Sequence, residues 1–172
     1  MSKRDLKKYL GELDKEQLQE QLIELYDKFS VVKEFYDFVF NPKEDKLLQE
    51  AKLKIANEYF PVGKTRRAKM RRSTAQKIIK HFITLGVDPF VTADVMLYTI
   101  EIAQTFSAEN FIKQEAFYKS MYNSFDQAVQ FLITNGILSE FKSRVKAIFE
   151  ETIRQKWKNK HDFLLIMERI DH

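Results

Sequence analysis

Apolar side chains recur along this chain at three- and four-residue intervals, set off by capping residues rather than by turn-rich stretches, and that rhythm predicts helices throughout. A short helix is expected from about Lys3 to Glu12, with Ser2 as its N-cap. Asp14, followed three residues later by Gln17, has the spacing of a capping box and opens a second helix. From there Leu18, Leu22, Leu25, Phe29, Val32, Tyr36 and Val39 repeat at intervals of 4-3-4-3-4-3, a heptad seam that predicts one long helix over residues 15–40. Ile23, Tyr26, Val31, Phe35 and Phe38 lie off the seam and widen the apolar face, which favours packing inside the chain's own domain over a two-chain coiled coil.

Further along, Asn41-Pro42 predicts a stop and a new helix with Asn41 as N-cap, Pro42 at the first position and Glu44 in the first turn. Its stripe is Leu47, Leu48, Ala51, Ile55 and Tyr59, and it ends at Phe60-Pro61-Val62-Gly63. Ser73 with Gln76 predicts the start of the next helix, carrying Ile78, Ile79, Phe82 and Leu85 to a C-terminal Gly86. Asp88-Pro89 begins another. Ser107 is expected to open a helix that lasts to Asn135-Gly136, Ser139 one that runs to about Lys158, and a last segment spans His161–Ile170. The expectation is an all-α fold: a single compact domain over residues 1–172, of seven or eight helices, with the helix of residues 15–40 as its spine.

Composition agrees with helices. Four Gly and three Pro in 172 residues are too few for a strand-rich fold. With no cysteine there is no disulfide, no thiolate metal site and no cysteine nucleophile. The opening Met1-Ser2-Lys3-Arg4-Asp5 is charged and lacks the apolar core of a secretion signal, so a cytoplasmic address is expected. No apolar run is long enough to span a bilayer.

Several strings resemble those of a family of small bacterial proteins of unknown function. They are Ser2-Lys3-Arg4-Asp5-Leu6-Lys7-Lys8-Tyr9-Leu10, Phe40-Asn41-Pro42-Lys43-Glu44-Asp45 and Glu58-Tyr59-Phe60-Pro61, joined by Arg71-Arg72-Ser73-Thr74-Ala75-Gln76-Lys77 and Leu85-Gly86-Val87-Asp88-Pro89 with Ala93-Asp94. The resemblance covers roughly residues 1–106. It implies a helical protein and transfers no catalytic or binding residue.

Charge is distributed unevenly. The net charge is +4, yet residues 64–80 hold eight cations and no acid. Those cations are Lys64, Arg66, Arg67, Lys69, Arg71, Arg72, Lys77 and Lys80, with the loop at residues 64–72 set before a helix start. Arginine forks, unpaired helix N–H groups and the positive end of a helix dipole would converge there on phosphate. The sequence therefore points to a non-catalytic binding protein that meets RNA, DNA or another polyanion through residues 64–80. The alternative is a protein–protein adaptor, its basic loop docking an acidic protein or balancing the chain's own acidic helices.

Other candidates carry less. Asp94, Tyr98, Glu101 and Thr105 share one helix face, which reads as an exposed acidic stripe neutralising part of the arginine loop before it reads as an acid–base couple or a metal site. His81, His161 and His172 are scattered, and no hydrolase, dinucleotide or phosphate-loop motif occurs. Trp157, within Lys156-Trp157-Lys158-Asn159-Lys160-His161, is expected to anchor the last helix rather than stack on a base. No cofactor and no metal are expected. The chain is expected to be a monomer, with pairing through residues 15–40 as the alternative.

Overall fold

The computed structural model describes residues 2–63 and 67–171. Among these residues there are nine helices and no strand: α1 Lys3–Gly11, α2 Lys15–Lys28, α3 Ser30–Phe40, α4 Glu44–Tyr59, α5 Arg72–Leu85, α6 Pro89–Glu109, α7 Glu115–Thr134, α8 Leu138–Arg154 and α9 Lys160–Asp171. Backbone contacts gather into two compact units, Met1–Lys43 and Glu44–His172. None of the helices is long and apolar enough to cross a membrane.

The first unit is α1–α3. Its first two starts are those the caps predict: Ser2 and Asp5 exchange hydrogen bonds across the first turn of α1, and Asp14 and Gln17 do the same for α2. The long helix of residues 15–40 does not form as one piece, and this adds the ninth helix. Phe29 adopts extended backbone (φ −121°, ψ 112°) and serves both as C-cap of α2 and as N-cap of α3. Its N–H still donates to Leu25 O at 3.0 Å while its own carbonyl accepts from Val32 and Lys33. One extended residue thus redirects the chain without losing the helical hydrogen bonds on either side. Periodicity counts residues and cannot see a change of axis. The local chemistry does favour the joint, because Ser30-Val31-Val32 is a poor helix interior and a tolerable helix start. Tyr26 and Tyr36 pack across the joint at 6.4 Å, and Tyr26 Oη donates to Asp37 at 3.0 Å. No residue of α1, α2 or α3 is buried.

The second unit is built around α6, which packs against α4, α5, α7 and α8. The reason is compositional: α6 is apolar on nearly every side, with Val95, Leu97, Ile100 and Ala103 all fully buried, and such a helix is stable only when surrounded. Phe125 and Met121 from α7, Ile55 from α4 and Ile148 from α8 are buried in the same core, and Phe163 of α9 packs on Phe125 with ring centroids 5.0 Å apart. Gly86 ends α5 in the left-handed region (φ 74°), and Asp88-Pro89 starts α6 as expected, with Asp88 Oδ1 accepting from Phe90 N at 2.7 Å. Two starts and one end in this part of the chain differ from expectation. Helix α4 begins at Glu44, with Asn41 closing α3 instead of opening α4. Helix α6 runs through Ser107 to Glu109, so α7 starts at Glu115, and α8 stops at Arg154.

Most buried polar groups of this unit are paired, Thr92 Oγ1 and Asn159 Oδ1 being exceptions among the described residues. Gln104, buried on α6, donates to Ile148 O at 2.7 Å and to Thr152 Oγ1 at 3.0 Å, tying α6 to α8. Gln155 donates to Gln104 O and accepts from both Ser107 Oγ and Trp157 Nε1. Trp157 is buried, with its ring edge-on to Phe117, Tyr118 and Phe163, so it anchors the start of α9 and offers no face to a base.

Candidate polyanion-binding cleft

The six described cations of residues 64–80 do not act as one group. Lys64 and Arg66 lie outside the described residues. Arg67 and Lys69 are exposed on the segment leading into α5, and Lys77 and Lys80 are exposed on α5 itself. Arg71 and Arg72 have partners inside the fold.

Glu58 organises the segment. It sits in the last turn of α4, only 8% exposed, on the same face as Ala51 and Ile55. Arg71 grips it with both arms of the guanidinium, Nε to Oε2 at 3.0 Å and Nη2 to Oε1 at 2.8 Å. Arg71 N also donates to Oε2, and Thr74 Oγ1 donates to Oε1 at 3.0 Å. The Arg71 hydrogen bonds outweigh burial, which opposes the charge, and the carboxyl is held down at about 2. The Glu58 main chain takes part as well, its carbonyl accepting from Lys69 N at 2.8 Å and Met70 N at 3.0 Å while Met70 turns through positive φ (50°).

This arrangement explains why α5 starts at Arg72 and not after a Ser73 cap. Its N-cap is Arg71, whose side chain makes no capping bond, and the acid near the helix start comes from α4 instead. A carboxylate beside a helix N-terminus is stabilised by the dipole. Arg72 turns the other way, to α7, with Nε donating to Ser124 Oγ at 2.9 Å and Nη2 to Gln127 Oε1 at 2.8 Å.

Beside Glu58 lies a cleft of about 570 Å³ lined by Asn57, Glu58, Pro61, Val62, Arg67, Lys69 and Arg71. Three of these seven side chains are cationic, and the one acid is already held by Arg71 and Thr74. The cleft presents positive charge over a carboxylate that is spoken for. Sequence reasoning found the cations and missed Glu58. The available signal was an acid three residues after Ile55 on an otherwise apolar stripe, a position that demands a partner.

The acidic face of α6 also has a different role from the one expected. Asp94 and Glu101 are half-buried and serve Arg144 of α8 and Lys52 of α4, not the arginine loop. Arg144 donates to Glu101 Oε1 (2.6 Å) and Oε2 (2.8 Å) and to Asp94 Oδ1 (2.6 Å), and Lys52 Nζ reaches Asp94 Oδ2 at 2.7 Å. Burial resists the charge on Asp94, but the bonds from Lys52 and Arg144 prevail and lower its pKa. Lys52 also sits 5.3 Å from the centre of the Tyr98 ring. These four charged groups fasten α4, α6 and α8 together, which occupies the pair that could have served as an acid–base couple.

Fold and cleft together define a helical protein with a cationic recess braced by one buried carboxylate. Residues 1–171 match the family of unknown function DUF6155, and the chain belongs to that family. No curated protein and no solved structure matches it.

Proposed function

We propose that this chain is a non-catalytic binding protein that holds a polyanion, most simply the phosphate backbone of RNA or DNA, along a rim of exposed cations made of Arg67, Lys69 and Arg71, which line the cleft beside Glu58, and of Lys77 and Lys80 farther along α5. The observation that carries the reading is the cleft beside Glu58, where, among the described residues, three cations line one recess and the only lining acid is consumed internally. Arg71, although tied to Glu58, keeps 55% of its side chain in solvent, so its outer edge remains available. Arg72 belongs to the fold and is not part of the rim.

Binding of this kind releases counterions. If about four to six phosphates are neutralised, the logarithm of affinity falls against the logarithm of salt with a slope of about −3 to −5. The informative variant replaces Arg67, Lys69, Lys77 and Lys80 together by Gln, leaving Arg71 and Arg72 to their structural partners. Its melting temperature should match the parent's, because exposed charges contribute little to folding. Fluorescence titration of labelled oligonucleotides should show weakened binding and a flatter slope. Binding retained in full by this variant, or absent in the parent at low salt, would overturn the proposal. Displacement of the oligonucleotide by an acidic protein at lower concentration than by nucleic acid would assign the rim to a protein partner.

A further inference from the structure

The cleft beside Glu58 is lined by more than charge. Arg67, Lys69 and Arg71 supply cations, while Pro61 and Val62 supply apolar surface and Asn57 an exposed amide. Val62 keeps 77% of its surface in solvent although it shares the cleft with three cations. A phosphate backbone alone would use the cations and leave this apolar surface wet. A ligand that joins an anion to a flat apolar group uses both.

We propose that the cleft receives a single nucleotide unit, its base against Pro61 and Val62 and its phosphate at Arg67 and Lys69, with the Asn57 amide to meet polar atoms of the base edge. The inference rests on the polyanion reading above and narrows it from nucleic acid in general to an unpaired nucleotide. Size supports it. The cleft measures about 570 Å³, within the range of about 300–1,000 Å³ typical of recesses that take a small organic ligand. A lone phosphate would leave most of that space empty.

The lining is also held in place before any ligand arrives. Phe60 N donates to Ala56 O at 2.8 Å, and the Phe60 ring stands edge-on to Phe106 at 5.6 Å, which anchors the chain just before Pro61. The cationic part is fixed by Lys69 N and Met70 N on the Glu58 carbonyl and by Arg71 on its carboxylate. Little ordering is therefore left to oppose binding. Those same bonds decide how a phosphate is held. The N–H groups of Lys69, Met70 and Arg71 all point to Glu58, so the phosphate is left to exposed side chains and discrimination rests with the base. A duplex keeps its bases paired and stacked, and extracting one is costly. The cleft thus favours an unpaired strand or a free nucleoside phosphate, whereas cations alone would favour the denser charge of a duplex.

Fluorescence titration with a short labelled single strand of mixed sequence, and with its duplex in the same low-salt buffer, should show tighter binding of the single strand. Val62→Trp offers the base a larger face and should tighten the single strand about fivefold or more, with the duplex unchanged. Val62→Ser should weaken the single strand at every salt concentration while the salt slope stays that of the parent, because no charge is removed. Neither variant repacks the core, since Val62 lies outside it. Competition separates the two sources of the nucleotide. A mixture of the common nucleoside monophosphates that displaces the strand at micromolar concentration identifies the free nucleotide as the ligand, and displacement only at far higher concentration identifies the strand. In either case the mixture should outcompete inorganic phosphate, which carries similar charge. Equal displacement by inorganic phosphate, a duplex bound as tightly as the single strand, or Val62 variants that bind as the parent does would overturn the inference and leave the polyanion reading standing. A parent that binds neither strand nor duplex at low salt would overturn both.

Discussion

Arg144→Met is expected to lower the unfolding free energy by about 2–3 kcal/mol, because it leaves Glu101 and Asp94 with one cation between them in a half-buried setting. The figure stands below the cost of stranding a fully buried charge because Asp94 and Glu101 keep 22% and 33% of their side chains in solvent. Methionine preserves most of the length and the aliphatic packing, so the loss reports the charge. Urea unfolding followed by circular dichroism measures it. The double variant Arg144→Met, Glu101→Met should recover a good part of the loss, since the cost arises mainly from the carboxylate left behind. An Arg144→Met protein within about 0.5 kcal/mol of the parent would show that the network contributes nothing net, the ordinary result for exposed pairs.

The second large effect is an acid-labile contribution from Glu58. Its pKa falls from an ordinary 4.5 to about 2 in the fold, so folding favours the ionised form. That stability is fully present above pH 4.5, declines as pH drops below it, and is gone near pH 2, for a total of roughly 3 kcal/mol. Glu58→Gln should therefore be less stable than the parent at neutral pH, and the gap should close on acidification through that window. Asp94 is also depressed by its partners and lowers both proteins alike, which leaves the difference between them to Glu58. A gap that stays constant from pH 6 to pH 2 would show that the side chain matters through shape alone.

The sequence made legible those features that depend on a few adjacent residues. The cap Ser2 and the capping pair Asp14 with Gln17 placed two helix starts, Asp88-Pro89 placed a third, and Gly86 placed an end. What stayed hidden depends on distant partners. The start of α5 is set by Glu58 from another helix, so the Ser73–Gln76 spacing pointed to the wrong residue. Phe29 breaks a seam whose count is unbroken, and the seam was expected to lie inside the monomer, whereas Leu22 and Leu25 are exposed. The central place of α6 had a readable sign, apolar residues on every side except the face of Asp94 and Glu101, which weighed less than the long heptad upstream. The cations of the candidate site were visible by composition alone. Which of them are committed to the fold was not, because Arg71 and Arg72 are neighbours in sequence with partners on opposite sides, α4 and α7.

The main-chain bonds from Lys69 and Met70 to the Glu58 carbonyl have a consequence for how this protein can change. They close the span between α4 and α5 at its base. Lengthening such a closed span is cheap: doubling it costs only about 0.6 kcal/mol in closure entropy. Insertions between Phe60 and Ala68, or exchanges of its cations for other side chains, should leave the packing of the nearby helices untouched. The side chains of this span can therefore change at little cost to the fold, and relatives of this chain are free to diverge there while keeping the same packing.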